Sequence, residues 1–590
     1  MTSGCFAVLQ LDGAWFQLTG ATEPLVAHSR LEVAPLLARV ERLANGGAHA
    51  AGFVAYEAAA AYGLDAHAPV PGLPLAAFVV GERLEPFDPS RLVEAAARVP
   101  AIAWRPGIDE GAYAGAVRRV REYLAAGESY QVNLTFPLEA AFTGDPFALF
   151  ARLARAQRAD GAAYLDLGRF AVCSASPELF LARDRNRVLM RPMKGTANRG
   201  RTNAEDRRKA VALRASPKER AENLMIVDMV RNDLGRVARI GSVDVPALFR
   251  VERFPTVLQM TSDVTAETDV PLGELFAATF PCASVTGAPK VRTASIIKEL
   301  EGRPRGVYTG AVGYVGPGGR ARFNVAIRTA TVDRAAGTAT YHVGSGIVWD
   351  SRPGREYAEC LAKARVLERD VTPFALIETL RWTPGEGFVL LKRHLDRLRA
   401  SARYFGFPFD RRKVRRALGQ AVGGCDPLRV RLLLDEWGAL RVETSALAAG
   451  SPARVTAGLA LAPVDAASPF LFHKTTRRAV YEDAAASRPD CEEVILWNRA
   501  GYVTETCLAN IAVYAAGRWV TPPVADGLLA GTMRAELLAR GEIVEGQIPV
   551  GSLHEGTRLA AFNSVRGWRE LRFVPAPGKG RSSRFLRPHG

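Results

Sequence analysis

The sequence predicts an α+β fold in two successive parts, and three observations carry that reading. The chain has 590 residues, too many for one hydrophobic core. Short β-type runs alternate with helical periodicity along its length, the pattern of sheets covered by helices. A charged helical stretch, REYAECLAKARVLERD, runs into Thr372-Pro373, and a new pattern, FALIETLRW, begins there; proline just past a helix end marks a boundary.

Residues 1–105 mix apolar runs with Pro- and Gly-rich breaks such as HAPVPGLPL. Residues 106–371 open with helical periodicity in YAGAVRRVREYLAAGE and continue with strands at GAAYLDLG, RFAVCSAS and ELFLARD. GAVGYVGPGGRARFNVAIRTATV reads as a hairpin turning at GPGG, because glycines supply the positive φ of tight turns. TATYHVGSGIVWDS is a further strand, and residues 372–575 alternate strands and helices as a smaller α/β domain. The last stretch, 576–590, carries four basic residues and no acid, and reads as a disordered tail.

Hydrophobic residues make up 48% and charged residues 23% of the chain, values of a soluble globular protein. No apolar run is long enough for a membrane span, and the first residues show no secretory pattern. Seven cysteines are scattered without metal-ligand spacing, which suits a reducing cytoplasm and no disulfide framework. The net charge of +16 is not banded with aromatics as a nucleic-acid groove requires. Small anionic substrates suit that charge about as well as nucleic acid does, and charge alone does not decide between them; no nucleic-acid or membrane partner is expected.

Basic residues are unevenly chosen, with ten lysines against 67 arginines. Where only charge matters, this chain uses arginine. A lysine is the basic side chain that can lose its proton and act as nucleophile or base. Lys194, in RPMKGT, and Lys474, in FLFHKTTRRAVY, therefore stand out, although either could be an ordinary surface lysine.

Around Lys194 four patterns recur. Glu219 and Glu222 lie three apart in SPKERAENLMIVDMVRNDLGR. Glu356 and Glu359 repeat that spacing in SRPGREYAECLAKAR, with Lys363 four further on. Such spacings place side chains on one helical face. Two carboxylate pairs suit a hard divalent cation such as Mg2+; ion-paired, solvent-facing helices would show the same spacing. SVTGAPKVRTASIIKEL places Gly287 in a turn opening a helix, whose free N–H groups suit an anion. Gly344 and Gly346 in GSGIV allow close backbone approach, and Arg328 in FNVAIRTA, on a predicted strand, suits a carboxylate.

Together these motifs resemble the chorismate-utilising family, which includes anthranilate, aminodeoxychorismate and isochorismate or salicylate synthases. The likeness lies in GESYQVNLTF, SASPELF, RPMKGTANRG, AENLMIVDMVRNDLGR, FPCASVTGAPK, FNVAIRTA and GSGIVWDSRPGREYAECLAKA. Residues 1–105 resemble the family's N-terminal part less closely. The resemblance implies an anthranilate synthase component I-like fold with large sheets. It implies Glu222 and Glu359 as Mg2+ ligands, with Glu219 and Glu356 behind them. Lys363 and Arg328 would hold chorismate carboxylates, with Thr196, Gly287, Gly344 and Gly346 shaping the substrate site. Glu178 would be the acid that assists loss of the C4 hydroxyl. Lys194 matches the lysine of aminodeoxychorismate synthases, where anthranilate synthases have alanine, and Asn133 points the same way. That lysine would attack C2, directing ammonia to C4. No G-x-C-x-G nucleophile elbow occurs in the chain, so a separate glutamine amidotransferase is expected to supply ammonia.

In the second part, EVILWNRAGYVTETCLANIAVY places Glu505 on a strand, and GLLAGTMRAELLARG puts Gly531-Thr532 at a helix entrance. A lysine, a carboxylate for a pyridinium nitrogen and a helix N-terminus for a phosphate are what pyridoxal phosphate requires. A surface lysine, a rim glutamate and a plain cap would look the same. LIETLR, HLDRLRASARYFGF, HKTTRRAVY, GYVTETCLANIAV, GLLAGTMR and AFNSVRGW resemble the fold-type IV pyridoxal-phosphate enzymes. The resemblance implies Lys474 as the cofactor-bearing lysine and Glu505 at the pyridine nitrogen. Arg397, Thr532 and the Met533 backbone would hold the phosphate. The longer N-terminal strand region of stand-alone members is absent before PFALIETLR. Aminotransferases and aminodeoxychorismate lyase share these motifs. The fusion favours the lyase, since the product of the first site would be its substrate. The expected activity is 4-aminobenzoate synthesis for folate; the alternative is an anthranilate synthase-like domain fused to an aminotransferase.

Overall fold

A computed structural model describes residues 6–21, 23–447 and 454–575. The basic tail of 576–590 lies outside the described residues. The chain divides into two compact units, Met1–Arg199 with Arg208–Thr372, and Gly200–Arg207 with Pro373–Gly590.

The first unit is built on two ten-stranded sheets, antiparallel at every pairing among the described residues. Alternation within single strands explains how the sheets stack. On the strand Phe6–Leu11, Ala7 and Leu9 point to the other sheet, whereas Val8 points to the helices. On the strand Ala76–Gly81, Ala77 and Val79 meet the first sheet, whereas Ala76 and Phe78 face helices on the far side. With both faces covered, such strands are apolar at consecutive positions rather than alternating. The helices Glu110–Ala125, Pro146–Gln157 and Pro353–Ala364 cover one sheet. The helices Arg30–Asn45, Pro217–Gly235 and Leu272–Thr279 cover the other. The result is a helix–sheet–sheet–helix stack. Full burial of a ring such as Phe53 or Phe323 contributes about 2–3 kcal/mol each.

The expected hairpin is present, with Ala311–Gly316 antiparallel to Arg320–Val325 across a turn whose Gly318 and Gly319 have φ of 75° and 72°. The strands expected in GAAYLDLG, RFAVCSAS and ELFLARD are also present. One expectation fails. Arg328 is not on a strand: the preceding strand ends at Val325 and the next begins at Thr329. Arg328 has φ of 52°, a left-handed conformation that interrupts the run and costs a non-glycine residue free energy.

The second unit contains a four-stranded antiparallel sheet and an eight-stranded mixed sheet. The first strand of the smaller sheet, Leu376–Thr383, pairs with Leu428–Leu434. Val430, Leu432 and Leu434 face the helices Leu391–Phe405 and Arg411–Gln420. The octapeptide Gly200–Arg207 is held within this unit: the Tyr404 hydroxyl donates to the Gly200 carbonyl at 2.7 Å and the Asn203 amide to the Ala400 carbonyl at 2.6 Å. Among the described residues, no helix is long and apolar enough to cross a membrane.

Candidate active sites

Lys194 lies on the strand Met193–Asn198, beside Val257–Glu267. The register slips there: Met193 pairs with Thr261 and Thr196 with Gln259, so Lys194 and Gly195 together oppose Met260. Such a bulge bends the strand and re-aims a side chain, and Gly195 supplies the required φ of 92°. A Cβ at Gly195 would lie 3.1 Å from a carboxylate oxygen of Glu219, so this glycine also lets the helix carrying Glu219 approach. That helix, Pro217–Gly235, starts at Ser216, whose hydroxyl accepts the Glu219 N–H. One turn on, the Asn223 amide donates to the Lys194 carbonyl at 3.3 Å, and Ser262 fixes Asn223 by donating to it at 2.6 Å. The lysine peptide is thereby clamped.

The Lys194 amine points to the strand Thr338–Ile347 of the other sheet. A Cβ at Gly346 would lie 2.7 Å from Lys194 Nζ and 2.9 Å from the Gln131 amide nitrogen. Gly346 leaves the space that both groups use. Gln131 is fully buried, and both its amide atoms are without a hydrogen-bond partner among the described residues. A buried amide in that state is costly unless a ligand or water completes it.

Glu178 is buried and accepts hydrogen bonds from the Ser284 hydroxyl at 2.6 Å and the Met193 N–H at 3.4 Å. Burial pushes its carboxyl up to about 7, and its bond to Ser284 and the Lys194 charge oppose the rise. Burial lowers the pKa of Lys194, as does Lys363, while Glu222, Glu178 and Glu359 pull the other way. Glu219 is raised by burial and by Glu222. In Glu359 burial favours the neutral form, but Lys363, 2.7 Å away, outweighs it and the pKa is lowered. Lys363 also donates to the Gly344 carbonyl at 2.9 Å, and Arg328 donates to the Lys363 carbonyl. Thus Lys194, Glu178, Glu219, Glu222, Glu359 and Lys363 form one electrostatic cluster.

Other expected residues sit less centrally. Glu356, half-buried one turn before Glu359, adds to the rise that burial gives the Tyr113 hydroxyl. The Thr196 hydroxyl donates to the Gln259 side chain at 2.8 Å. Gly287 belongs to a two-residue strand against Gln131–Val132, where a Cβ would meet the Gln131 carbonyl at 2.0 Å. Among the described residues, no group of three or more His, Cys, Asp or Glu is arranged to hold a metal ion by itself.

The second site is a cavity of about 860 Å³ lined by Lys474, Glu505, Arg397, Thr532 and Met533. Burial, reinforced by the Arg397 charge, lowers the Lys474 amine to about 8. Glu505 is buried and accepts the Tyr481 hydroxyl at 2.9 Å and the Leu529 N–H at 3.2 Å; burial pushes it up to about 7. Thr532 opens the helix Thr532–Ala539 behind Gly531. A Cβ at Gly531 would lie 1.9 Å from the Asn510 side-chain oxygen.

Arg397 is anchored on Glu378 through bonds of 3.0 and 2.7 Å. His394 binds the same carboxylate at 2.6 Å and faces Ser564 at 2.9 Å and Thr532 at 3.2 Å. Burial opposes ionisation of Glu378, but Arg397 and His394 outweigh it and hold its carboxyl at about 2. Sequence reasoning did not single out Glu378, His394, Tyr481 or Ser564. The signal available was a glutamate inside the apolar LIETL run, since a buried acid needs a partner.

The first unit has the fold of anthranilate synthase component I. The crystal structure of that protein from Streptococcus pneumoniae aligns over 62% of this chain and 90% of its own, with a TM-score of 0.51 and 27% identity. The chain belongs to the chorismate binding enzyme family, which it matches over residues 16–369; residues 375–573 match the amino-transferase class IV family. Among curated relatives, aminodeoxychorismate synthase component 1 of Escherichia coli is 43% identical over 269 residues, 45% of this chain and 59% of that protein. Anthranilate synthase component 1 of Thermus thermophilus is 43% identical over 263 residues, 44% of this chain and 56% of that one. The chain therefore spans less than two thirds of the length of these relatives, and overall identity does not separate the two activities.

Proposed function

We propose that the chain makes 4-aminobenzoate in two steps. The first unit aminates chorismate at C4, giving 4-amino-4-deoxychorismate, and the second unit removes pyruvate from that product. The observation that carries this reading is the placement of Lys194. It sits at a strand bulge, its peptide is clamped by Asn223, its amine meets Gly346, and Glu178 lies beside its strand.

In this reading the neutral Lys194 amine attacks ring C2 while the C4–O bond breaks. Glu178, carrying a proton, delivers it to the departing hydroxyl, which leaves as water. Ammonia then bonds to C4, and the C2–N bond to Lys194 breaks, returning the amine. Lys363 and Arg328 orient the anionic substrate. The oxygen donors of Glu222 and Glu359 suit Mg2+, an ion that commonly uses one or two protein carboxylates and completes its shell with substrate and water. The ion would supply charge stabilisation for a bound carboxylate. Ammonia would come from a glutamine amidotransferase partner or from free ammonium.

The second cavity fits pyridoxal phosphate by the chemistry of its donors. Lys474 offers an amine of lowered pKa, Glu505 a buried carboxyl, and Thr532, Arg397 and the Met533 N–H a phosphate seat. When bound, the cofactor supplies an electron sink for carbanion chemistry. Lys474 then takes the proton from ring C4 and returns it to the methylene carbon of the departing enolpyruvyl group. The C3–O bond breaks, the ring becomes aromatic, and pyruvate is released.

Lys194→Ala should lower C4 amination at least about a hundredfold, nearly 3 kcal/mol of transition-state stabilisation. Aminodeoxychorismate formation from chorismate and ammonium checks this. An unchanged rate would remove Lys194 from the mechanism.

A further inference from the structure

The small sheet of the second unit has one apolar face and one polar face. Val430, Leu432 and Leu434 pack into the core, so Arg429 and Arg431 point to the opposite side. Cross-strand partners share that face: Arg431 lies opposite Thr379, and Arg429 opposite Ser445. The polar face of an antiparallel sheet ordinarily meets bulk water. Here Thr379, Arg429, Arg431 and Ser445 line the cavity that contains Lys474.

The arginines of this cavity sort by partner. Arg397 is bound to Glu378, Arg431 to Glu443 at 3.2 Å, and Arg569 to Glu493 at 2.9 Å. Arg478 donates to the Cys507 carbonyl and lies over the Tyr481 ring. Arg477 lies over the rings of Phe374 and Phe470. Two remain. Arg429, on the small sheet, and Arg566, in the turn between the strands Leu559–Asn563 and Gly567–Phe573, also line the cavity. Neither side chain has a carboxylate partner among the described residues. The Arg566 backbone is fixed by its N–H bond of 2.8 Å to the Asn563 side chain. The cavity thus carries two guanidinium groups beyond those already engaged, one from the small sheet and one from a turn of the larger sheet.

We propose that Arg429 and Arg566 are the carboxylate receptors of the second site, one for each carboxylate of its amine substrate. The assignment rests on the pyridoxal phosphate reading of the Lys474 cavity. A guanidinium group takes a carboxylate through two parallel hydrogen bonds. A monocarboxylate would leave one of the two receptors unmatched. The rigid sheet position of Arg429 and the tied turn of Arg566 set the separation of the two acids, and so select among dicarboxylates.

The test uses the full chain reconstituted with pyridoxal phosphate and two probes without an amine, isophthalate and benzoate. The visible absorption of the cofactor reports binding, and turnover is not needed. Isophthalate should perturb the band at a concentration at least about tenfold below that for benzoate, the worth of one charge-assisted pair. Arg429→Gln and Arg566→Gln should each raise the isophthalate requirement about tenfold, while Arg429→Lys and Arg566→Lys should restore part of it. Equal binding of the two probes by the unaltered chain, or no change in the glutamine variants, would overturn the assignment. Failure of the lyase reading shows differently, as normal isophthalate binding without formation of 4-aminobenzoate from aminodeoxychorismate. A chain that acquires no cofactor band overturns both.

Discussion

In the proposed amination, Glu178 and Lys194 must be in opposite protonation states, and the fold pushes both in the direction that reading requires. Burial raises Glu178 to about 7, so it still holds a proton near neutrality. The same burial lowers Lys194, so a larger share of its amine is neutral. The sign for Glu178 follows directly. The protonated form is the donor, and it is lost as pH rises through about 7. At fixed free ammonia, kcat/KM for C4 amination should therefore fall above that pH. The amine requirement of Lys194 adds a limb that rises with pH at the acid end. Glu178→Gln keeps the shape of the side chain but has no proton to give. It should lower the rate about 10²–10⁴-fold, the usual worth of a general acid, and abolish the falling limb. A retained limb in that variant would assign the ionisation to another group.

At the scale of elements, the first site is a junction of two sheets made possible by glycine. Gly195 allows the bulge that aims Lys194, and Gly346 leaves room for its amine. Gly346→Ala would place a methyl 2.7 Å from Lys194 Nζ. The methyl would also lie 2.9 Å from the Gln131 amide nitrogen; both obstructed atoms are ends of flexible side chains, so the strand should still form and the amine should move. Reduced C4 amination with little change in the thermal midpoint is expected, and activity measured beside melting checks it. Periodicity made most strands and helices legible, including both helices that carry Glu-x-x-Glu pairs. The hairpin at GPGG was legible because glycine chemistry is local. What escaped depends on pairing partners distant in sequence. The bulge at Lys194 exists only against Met260 of another strand. The left-handed turn at Arg328 lies in a run with no glycine to mark it. Gln131 and Ser284 belong to motifs that were read for other residues. The Glu378–His394–Arg397 cluster needed the fold to bring a strand glutamate onto a helix face. The membership of Gly200–Arg207 in the second unit is likewise invisible to local pattern.

At the scale of the molecule, the chemistries proposed for the two sites are complementary. The first would install an amine at ring C4, and the second cavity presents the lysine and carboxyl that suit chemistry through an amine. Each unit has its own core and its own titratable cluster, so the two activities should be separable by single substitutions. The most direct measurement is a product analysis of the full chain supplied with chorismate, Mg2+, ammonium and pyridoxal phosphate, run alongside Lys474→Ala. Equal amounts of 4-aminobenzoate and pyruvate from the unaltered chain, with aminodeoxychorismate accumulating in the variant, are the predicted result. Anthranilate as the aminated product, or 4-aminobenzoate formed at an undiminished rate by Lys474→Ala, would contradict it.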